Sequence, residues 1–291
     1  MNAASLGRMG AVCMVTAWFA CGGAEVEDAV ESDDRTLAIE STAAHHPEFA
    51  RKLRDIDGYR LDEARLQGGD TESLCGKRDL QHVNSYDGRL GVSQTYVKKF
   101  KGAVGALTSK NTASGSKYCT GTLIAKDLFL TASHCVSSKT VGHYVAFGYE
   151  RKAGSTTLGT QEFFKITQLV EEGAKKGIDY AIVRLERDAG SKYGVTGTRA
   201  QDPKKDATLA IIQHPSGEPK QIEAGKHQGL SGNYLRYADI DTLPGSSGSG
   251  VLDADGLLVG VHTNGGCTSG TSGANSGVRL SQVAKVSSII R

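Results

Sequence analysis

Along residues 73–291, short runs rich in Val, Ile, Tyr, Phe and Thr alternate with turns of Gly, Ser, Asn and Asp, a rhythm that leaves few folds open. The runs are Thr95–Phe100, Tyr118–Ile124, Leu128–Ala132, Tyr144–Tyr149, Phe163–Leu169, Tyr180–Leu185, Thr208–Gln213, Leu235–Ile240, Ser249–Leu252 and Leu257–His262. Each has strand length, and no helical pattern intervenes as βαβ units would require. The class is therefore all-β, closing as barrels or stacking as a sandwich. The Gly-rich stretch Thr263–Gly277 reads as an irregular surface loop. Ser281–Arg291 sets Val283, Val286 and Ile290 at helical spacing, which predicts an amphipathic C-terminal helix capped by Ser281.

Two blocks of different composition precede this body. In residues 1–24, Arg8 is followed by an apolar stretch, Ala11 to Ala20, too short to span a bilayer, which is the layout of a secretory leader. Cleavage near Ala20 to Ala24 is one outcome. Lipidation of Cys21, which would anchor the protein to a membrane, is the other, although Trp18 and Phe19 fit a lipidation signal poorly. Residues 25–72 carry 14 acidic and 6 basic residues and no cysteine, leaving a net +9 on residues 73–291 of a chain that is +2 overall. Opposite charges on adjoining blocks predict a pro-segment docking on the basic body. Its acidic start, Glu25 to Asp34, has the composition of a solvated linker, while Pro47–Gln67 has helical periodicity through Phe49, Leu53, Ile56 and Leu66. The lysines of the body are dispersed and match no nucleic-acid motif, so its charge reads as solvated surface.

With the leader removed, Cys75, Cys119, Cys135 and Cys267 remain. An even count behind a leader implies an oxidising compartment and two disulfides, with three pairings possible. No Cys-x-x-Cys occurs, and His45-His46 have no ligand partners around them, so neither metal nor cofactor is implied.

Three segments carry chemistry. Asp241-Thr242-Leu243-Pro244-Gly245-Ser246-Ser247-Gly248-Ser249 sets a serine among glycines on a tight loop. A serine hydroxyl needs a base to take its proton and backbone amides to receive the resulting charge, and such a loop gathers amides into a small space. Thr131-Ala132-Ser133-His134-Cys135 ends an apolar strand with a histidine beside a cysteine. A bridge from Cys135 to Cys119, 16 residues earlier, would fix that histidine's backbone. Asp179 stands at the mouth of the apolar run Tyr180–Leu185. Each signal alone is weak, since turns, core imidazoles and turn aspartates are commonplace.

Together the three resemble the chymotrypsin-like (trypsin-fold) serine peptidases in residue order and in local motif: Thr-Ala-x-His-Cys, Asp-x-Ala-Ile-x-x-Leu and Gly-x-Ser-Gly. The resemblance covers residues 75–291 and implies two packed six-stranded antiparallel β-barrels with the site in the cleft between them. It further implies Ser247 as nucleophile, His134 as general base, Asp179 as its orienting acid, and the N–H groups of Gly245 and Ser247 as an oxyanion hole. Thr263, Asn264 and Gly265 would pair with substrate backbone. Substrates would be proteins or peptides. A binding protein of this fold is the alternative, but such relatives usually lack a member of the triad, and none is missing here.

The closest likeness is to the bacterial secreted branch. Ser246 stands where animal zymogens carry the Asp that pairs with a new N-terminus, so that switch is absent and activation falls to removal of residues 25–72 or to folding itself. Likeness to lysyl endopeptidases implies the pairing Cys75–Cys267. Substrate selection stays open between two readings. Asp241 falls where trypsin holds a basic P1 residue, whereas Thr242 and His262 fall where glutamyl endopeptidases hold an acidic one. Under the acidic reading, Glu72-Ser73 is a self-cleavage site.

Overall fold

A computed structural model describes residues 73–267 and 273–291. The predicted leader and acidic block lie outside the described residues. The chain enters through a two-residue strand β1 (Gln81–His82) and a helix α1 (Gln94–Phe100). Six strands follow: β2 (Val104–Thr108), β3 (Lys117–Leu123), β4 (Leu128–Thr131), β5 (Tyr144–Phe147), β6 (Glu162–Glu172) and β7 (Ala181–Leu185). They close an antiparallel barrel in the order β2-β3-β4-β7-β6-β5. A short helix α2 (Gly190–Tyr193) leads across to β8 (Thr208–Gln213), β9 (Gln221–Ser231), β10 (Tyr234–Tyr237), β11 (Gly250–Leu252), β12 (Leu258–Asn264) and β13 (Asn275–Arg279). These run β9-β10-β13-β12-β11-β8, and β8 pairs back to β9, closing a second barrel with β1 added to β9. One helical turn, α3 (Leu280–Val283), follows the last strand. The double six-stranded barrel is the fold the resemblance implied.

Apolar alternation builds the cores. Phe147 lies at the centre of the first barrel, edge-on to Phe129 and Phe164 and stacked on Tyr193 at 4.7 Å between ring centroids. Such aromatic pairs add about 0.5–1.5 kcal/mol each beyond the area they bury. On β8, Leu209 and Ile211 enter one core cluster while Ala210 and Ile212 enter the other. Both faces of that strand are buried, which explains its unbroken apolar run.

Three local expectations are corrected. Thr95–Phe100 is helical, not extended. Ser93 caps it by accepting the Tyr96 N–H at 3.1 Å, and Tyr96 and Phe100 meet at i, i+4 with centroids 4.8 Å apart. The cap and the aromatic pair outweigh the strand preference of the individual residues. Thr263–Gly277 is not irregular throughout: β12 continues to Asn264 and β13 begins at Asn275, its polar sequence accepted because Asn275 is fully buried and hydrogen-bonded. Finally, helix is limited to Leu280–Val283 with Arg279 at its N-cap, while Ser281 donates instead to Asp202 at 2.6 Å. Ser287 Oγ then accepts the N–H groups of Ile289 and Ile290, turning the chain so that Ile290 is buried without a helix.

Candidate active site

Register brings the histidine and the acid together. β4 and β7 pair antiparallel with Thr131 opposite Ala181. His134 follows the end of β4 by three residues and Asp179 precedes β7 by two, so both emerge at the same barrel rim. Ser133–Cys135 forms a tight 3-10 turn, and the Cys119–Cys135 disulfide ties it to β3. Asp179 Oδ2 lies 2.7 Å from His134 Nδ1, while Oδ1 accepts the His134 backbone N–H at 3.0 Å and the Ser133 hydroxyl at 2.7 Å. Both side chains are about nine-tenths withdrawn from solvent, at 13% and 14% exposure. With one oxygen fixed by two donors, the carboxylate presents the other to Nδ1 and so orients the ring.

The serine loop consists of two consecutive turns. Ser246 N–H donates to Leu243 O at 2.9 Å and Ser249 N–H to Ser246 O at 3.0 Å. Gly245 and Gly248 occupy the third place of each turn, with φ of +102° and +86°. Pro244 before Gly245 fits this geometry, which demands a left-handed residue after a restricted one. Ser246, fully buried, accepts the Leu243 N–H through its hydroxyl and thereby braces the first turn.

This loop is clamped onto the first barrel. Thr120 N–H donates to Ser247 O at 2.9 Å, and the Thr120 hydroxyl donates to Gly245 O at 2.8 Å. A Cβ on Gly248 would fall 2.1 Å from Thr131 Oγ1 and 2.3 Å from Thr120 O. Cys135 Sγ, next to His134, lies 3.6 Å from Ser247 O. The segments bearing the serine and the histidine are thus in direct contact across the two barrels. Thr120 and Ser133 were not singled out in the sequence. Their only signals were position, beside Cys119 and beside His134.

The residues considered for substrate selection are separated by the structure into different roles. Asp241 is buried, and its carboxylate accepts the backbone N–H groups of Cys75 at 2.7 Å and Asp79 at 3.3 Å. Burial raises its pKa to about 6 against the opposing pull of those two donors. Thr242 is fully buried and its Oγ1 accepts Asn275 Nδ2 at 3.0 Å. His262 is fully buried with Nδ1 2.5 Å from the Tyr237 hydroxyl, and its backbone N–H and C=O bond to Ser249 and Gly248 of the serine loop. Thr263 and Asn264 end β12, with Asn264 Nδ2 donating to Thr263 Oγ1 at 3.0 Å, and Gly265 follows. The second disulfide joins Cys75 to Cys267, the pairing expected, and fastens the entering segment to this wall.

Two antiparallel six-stranded barrels with a serine loop, a histidine turn and a strand-mouth aspartate at their junction define the chymotrypsin-like serine peptidase class. Accordingly, residues 119–261 match the family model described as a trypsin-like peptidase domain, and the chain has the fold of the chymotrypsin-like serine peptidases. Among curated relatives, Secreted RxLR effector protein 73 of Plasmopara viticola is 28% identical over 235 residues, 73% of this chain and 56% of the relative. Exfoliative toxin A of Staphylococcus aureus is 26% identical over 162 residues, 52% of this chain and 57% of the toxin. The chain therefore spans little more than half the length of these relatives. Among solved structures, the serine endoprotease from Yersinia pestis shares the fold at a TM-score of 0.50 and 17% identity, over 66% of this chain and 63% of the other. A Glu endopeptidase in complex with MPD aligns at a TM-score of 0.47 and 26% identity, over 69% and 95%.

Proposed function

We propose that the protein is a secreted serine endopeptidase that hydrolyses peptide bonds through an acyl-enzyme and prefers an acidic residue, Glu above all, at P1. In this reading Ser247 Oγ attacks the scissile carbonyl while His134 takes its proton. His134 then returns the proton to the leaving amine, and water repeats the sequence to release the acid product. Asp179 orients the imidazole and stabilises its protonated form. The N–H groups of Gly245 and Ser247 receive the oxyanion, each worth about 3 kcal/mol of barrier. The intervening Ser246 amide is engaged with Leu243. Thr263, Asn264 and Gly265 pair with substrate backbone as an added strand. The observation that carries the reading is the 2.7 Å contact between His134 Nδ1 and Asp179 Oδ2 on a turn packed against the serine loop.

Acidic P1 is favoured over basic because the Asp241 oxygens are engaged by the backbone of Cys75 and Asp79. A substrate cation would have to compete with them. Next in sequence, Thr242 Oγ1 accepts from Asn275, which leaves its own hydrogen to donate. In the tautomer we assign, Tyr237 donates to His262 Nδ1 and the ring proton stands on Nε2, a second donor for a carboxylate.

Residues 1–24 serve as the signal and 25–72 as a pro-segment, with 73–291 as the mature domain. Two disulfides and a relative named as secreted support an extracellular location. Cleavage after Glu72 fits the same preference. Ser73 already bonds Asn275 through its hydroxyl and accepts the Thr242 N–H through its carbonyl.

An organophosphonate should label the protein at Ser247, and Ser247→Ala should abolish labelling. Labelling elsewhere, or none, reduces the protein to a binding relative of the fold. Cleavage of a peptide library should give Glu at P1, with Lys or Arg there refuting the specificity alone.

A further inference from the structure

Away from the serine, three carboxylates from three separate segments converge. Asp79 comes from the entering segment, Glu223 from β9, and Asp241 from the stretch before the serine loop. Their oxygens lie within 4.8 Å of one another. Glu223 and Asp241 are buried, at 0% and 1% exposure. The donors around them are backbone amides: Cys75 and Asp79 N–H to Asp241, and Ala224 N–H to Glu223 Oε1 at 3.0 Å. Glu223 Oε2 meets no hydrogen-bond donor among the described residues. A buried carboxylate oxygen without a donor is costly, and two like charges beside it compound the cost. Burial first, and then a hydrogen bond with Asp79, push the Glu223 carboxyl up to about 9, so without a cation it keeps its proton at neutral pH.

We propose that Asp79, Glu223 and Asp241 bind a hard divalent cation of the calcium class. An all-oxygen set excludes soft metals. Its irregular supply from three segments suits calcium's flexible coordination better than magnesium's strict octahedron. A bound cation displaces the proton that Glu223 holds at neutral pH, releases it to solvent, offsets the mutual repulsion of the three carboxylates and gives Glu223 Oε2 a partner. It also clamps the Cys75–Asp79 segment to β9 and to Asp241, immediately before Thr242. This site is separate from the reacting groups and does not depend on peptidase activity.

The test is calcium binding to the full chain at pH 7.5 and constant ionic strength, read by titration calorimetry and by thermal unfolding in EDTA and in rising CaCl2. One saturable site per chain is expected. At hundredfold excess over its dissociation constant, calcium should raise the unfolding midpoint by about 5–10 °C. Glu223→Gln should remove both responses, and Asp79→Asn, at the solvent edge, should weaken binding at least about tenfold. Absence of a saturable heat and of a shift in the wild type overturns the proposal in favour of a proton shared between Glu223 and Asp79. Unchanged binding in Glu223→Gln overturns it equally. Should Glu223→Gln fail to fold, Asp79→Asn decides, and undiminished affinity there is the refuting result.

Discussion

The Ser133 hydroxyl donates to Asp179 Oδ1 at 2.7 Å, so the residue before the histidine holds the acid that in turn holds the imidazole. Ser133 is buried, and the bond shares Oδ1 with the His134 backbone N–H. Loss of one charge-assisted bond should free the carboxylate to rotate without exposing it. Ser133→Ala is expected to lower kcat about tenfold with KM unchanged, and Ser133→Thr to restore part of it. Asp179→Asn should cost about 10⁴-fold. Steady-state kinetics on one peptide substrate gives both numbers. An equal loss in KM alone would mean that Ser133 shapes binding instead.

Substrate choice separates two residues that lie close in sequence to the serine loop and the wall behind it. His262→Gln is expected to reduce kcat/KM after Glu by about 10²-fold, because a buried donor aimed at a carboxylate is replaced by one that fits poorly. Asp241→Asn should leave the ratio of Glu to Lys cleavage within about threefold of the wild type. Its cost should appear in stability, about 1–3 kcal/mol, since it anchors Cys75 and Asp79. A collapse of cleavage after Lys or Arg in Asp241→Asn would restore the basic reading.

Gly248 tests the junction between the barrels. A methyl group there meets Thr131 Oγ1 at 2.1 Å and Thr120 O at 2.3 Å on a backbone with φ of +86°. Gly248→Ala should cost about 2–5 kcal/mol in denaturant unfolding and displace Ser247, removing activity. Retained activity would mean that the loop moves without harm.

Acid stability is expected to depend on Glu150. Burial opposes its charge, but Lys220 at 3.0 Å and Lys101 overcome that and hold the carboxyl down at about 2. A depressed carboxyl stabilises the fold above its ordinary range near 4.5. That contribution is lost as pH falls from there through about 2. Denaturant unfolding between pH 6 and 2 should therefore show falling stability, and Glu150→Gln should flatten that slope. The variant should also lose about 3–5 kcal/mol at neutral pH, because Lys220 is fully buried and keeps only the Lys101 carbonyl, with no counter-ion. An unchanged slope would assign the acid dependence to other carboxylates.

The resemblance carried by the motifs around His134, Asp179 and Ser247 implied the double barrel, and the turn-punctuated strand rhythm limited the chain to barrels or a sandwich because strand patterning is local. The same holds for Thr208–Gln213, whose bounds as a strand are met to the residue, since both its faces are buried and its apolar run is unbroken. Residues 221–231 were not legible as a strand. Their glycines and charges obscure the pattern, and β9 exists because it pairs along the whole of β8. Likewise, Thr95–Phe100 has strand-forming residues that a cap and an aromatic pair turn into helix. Asp241 shows the limit most clearly. Its distance from Ser247 in sequence allowed a place in the substrate pocket. Its partners, Cys75 and Asp79, lie more than 160 residues earlier, and only folding brings their amides to its carboxylate. Sequence determines what each segment can do chemically; long-range pairing decides which partner each side chain meets, because hydrogen bonds and charges are spent on whatever the fold places within about 3 Å.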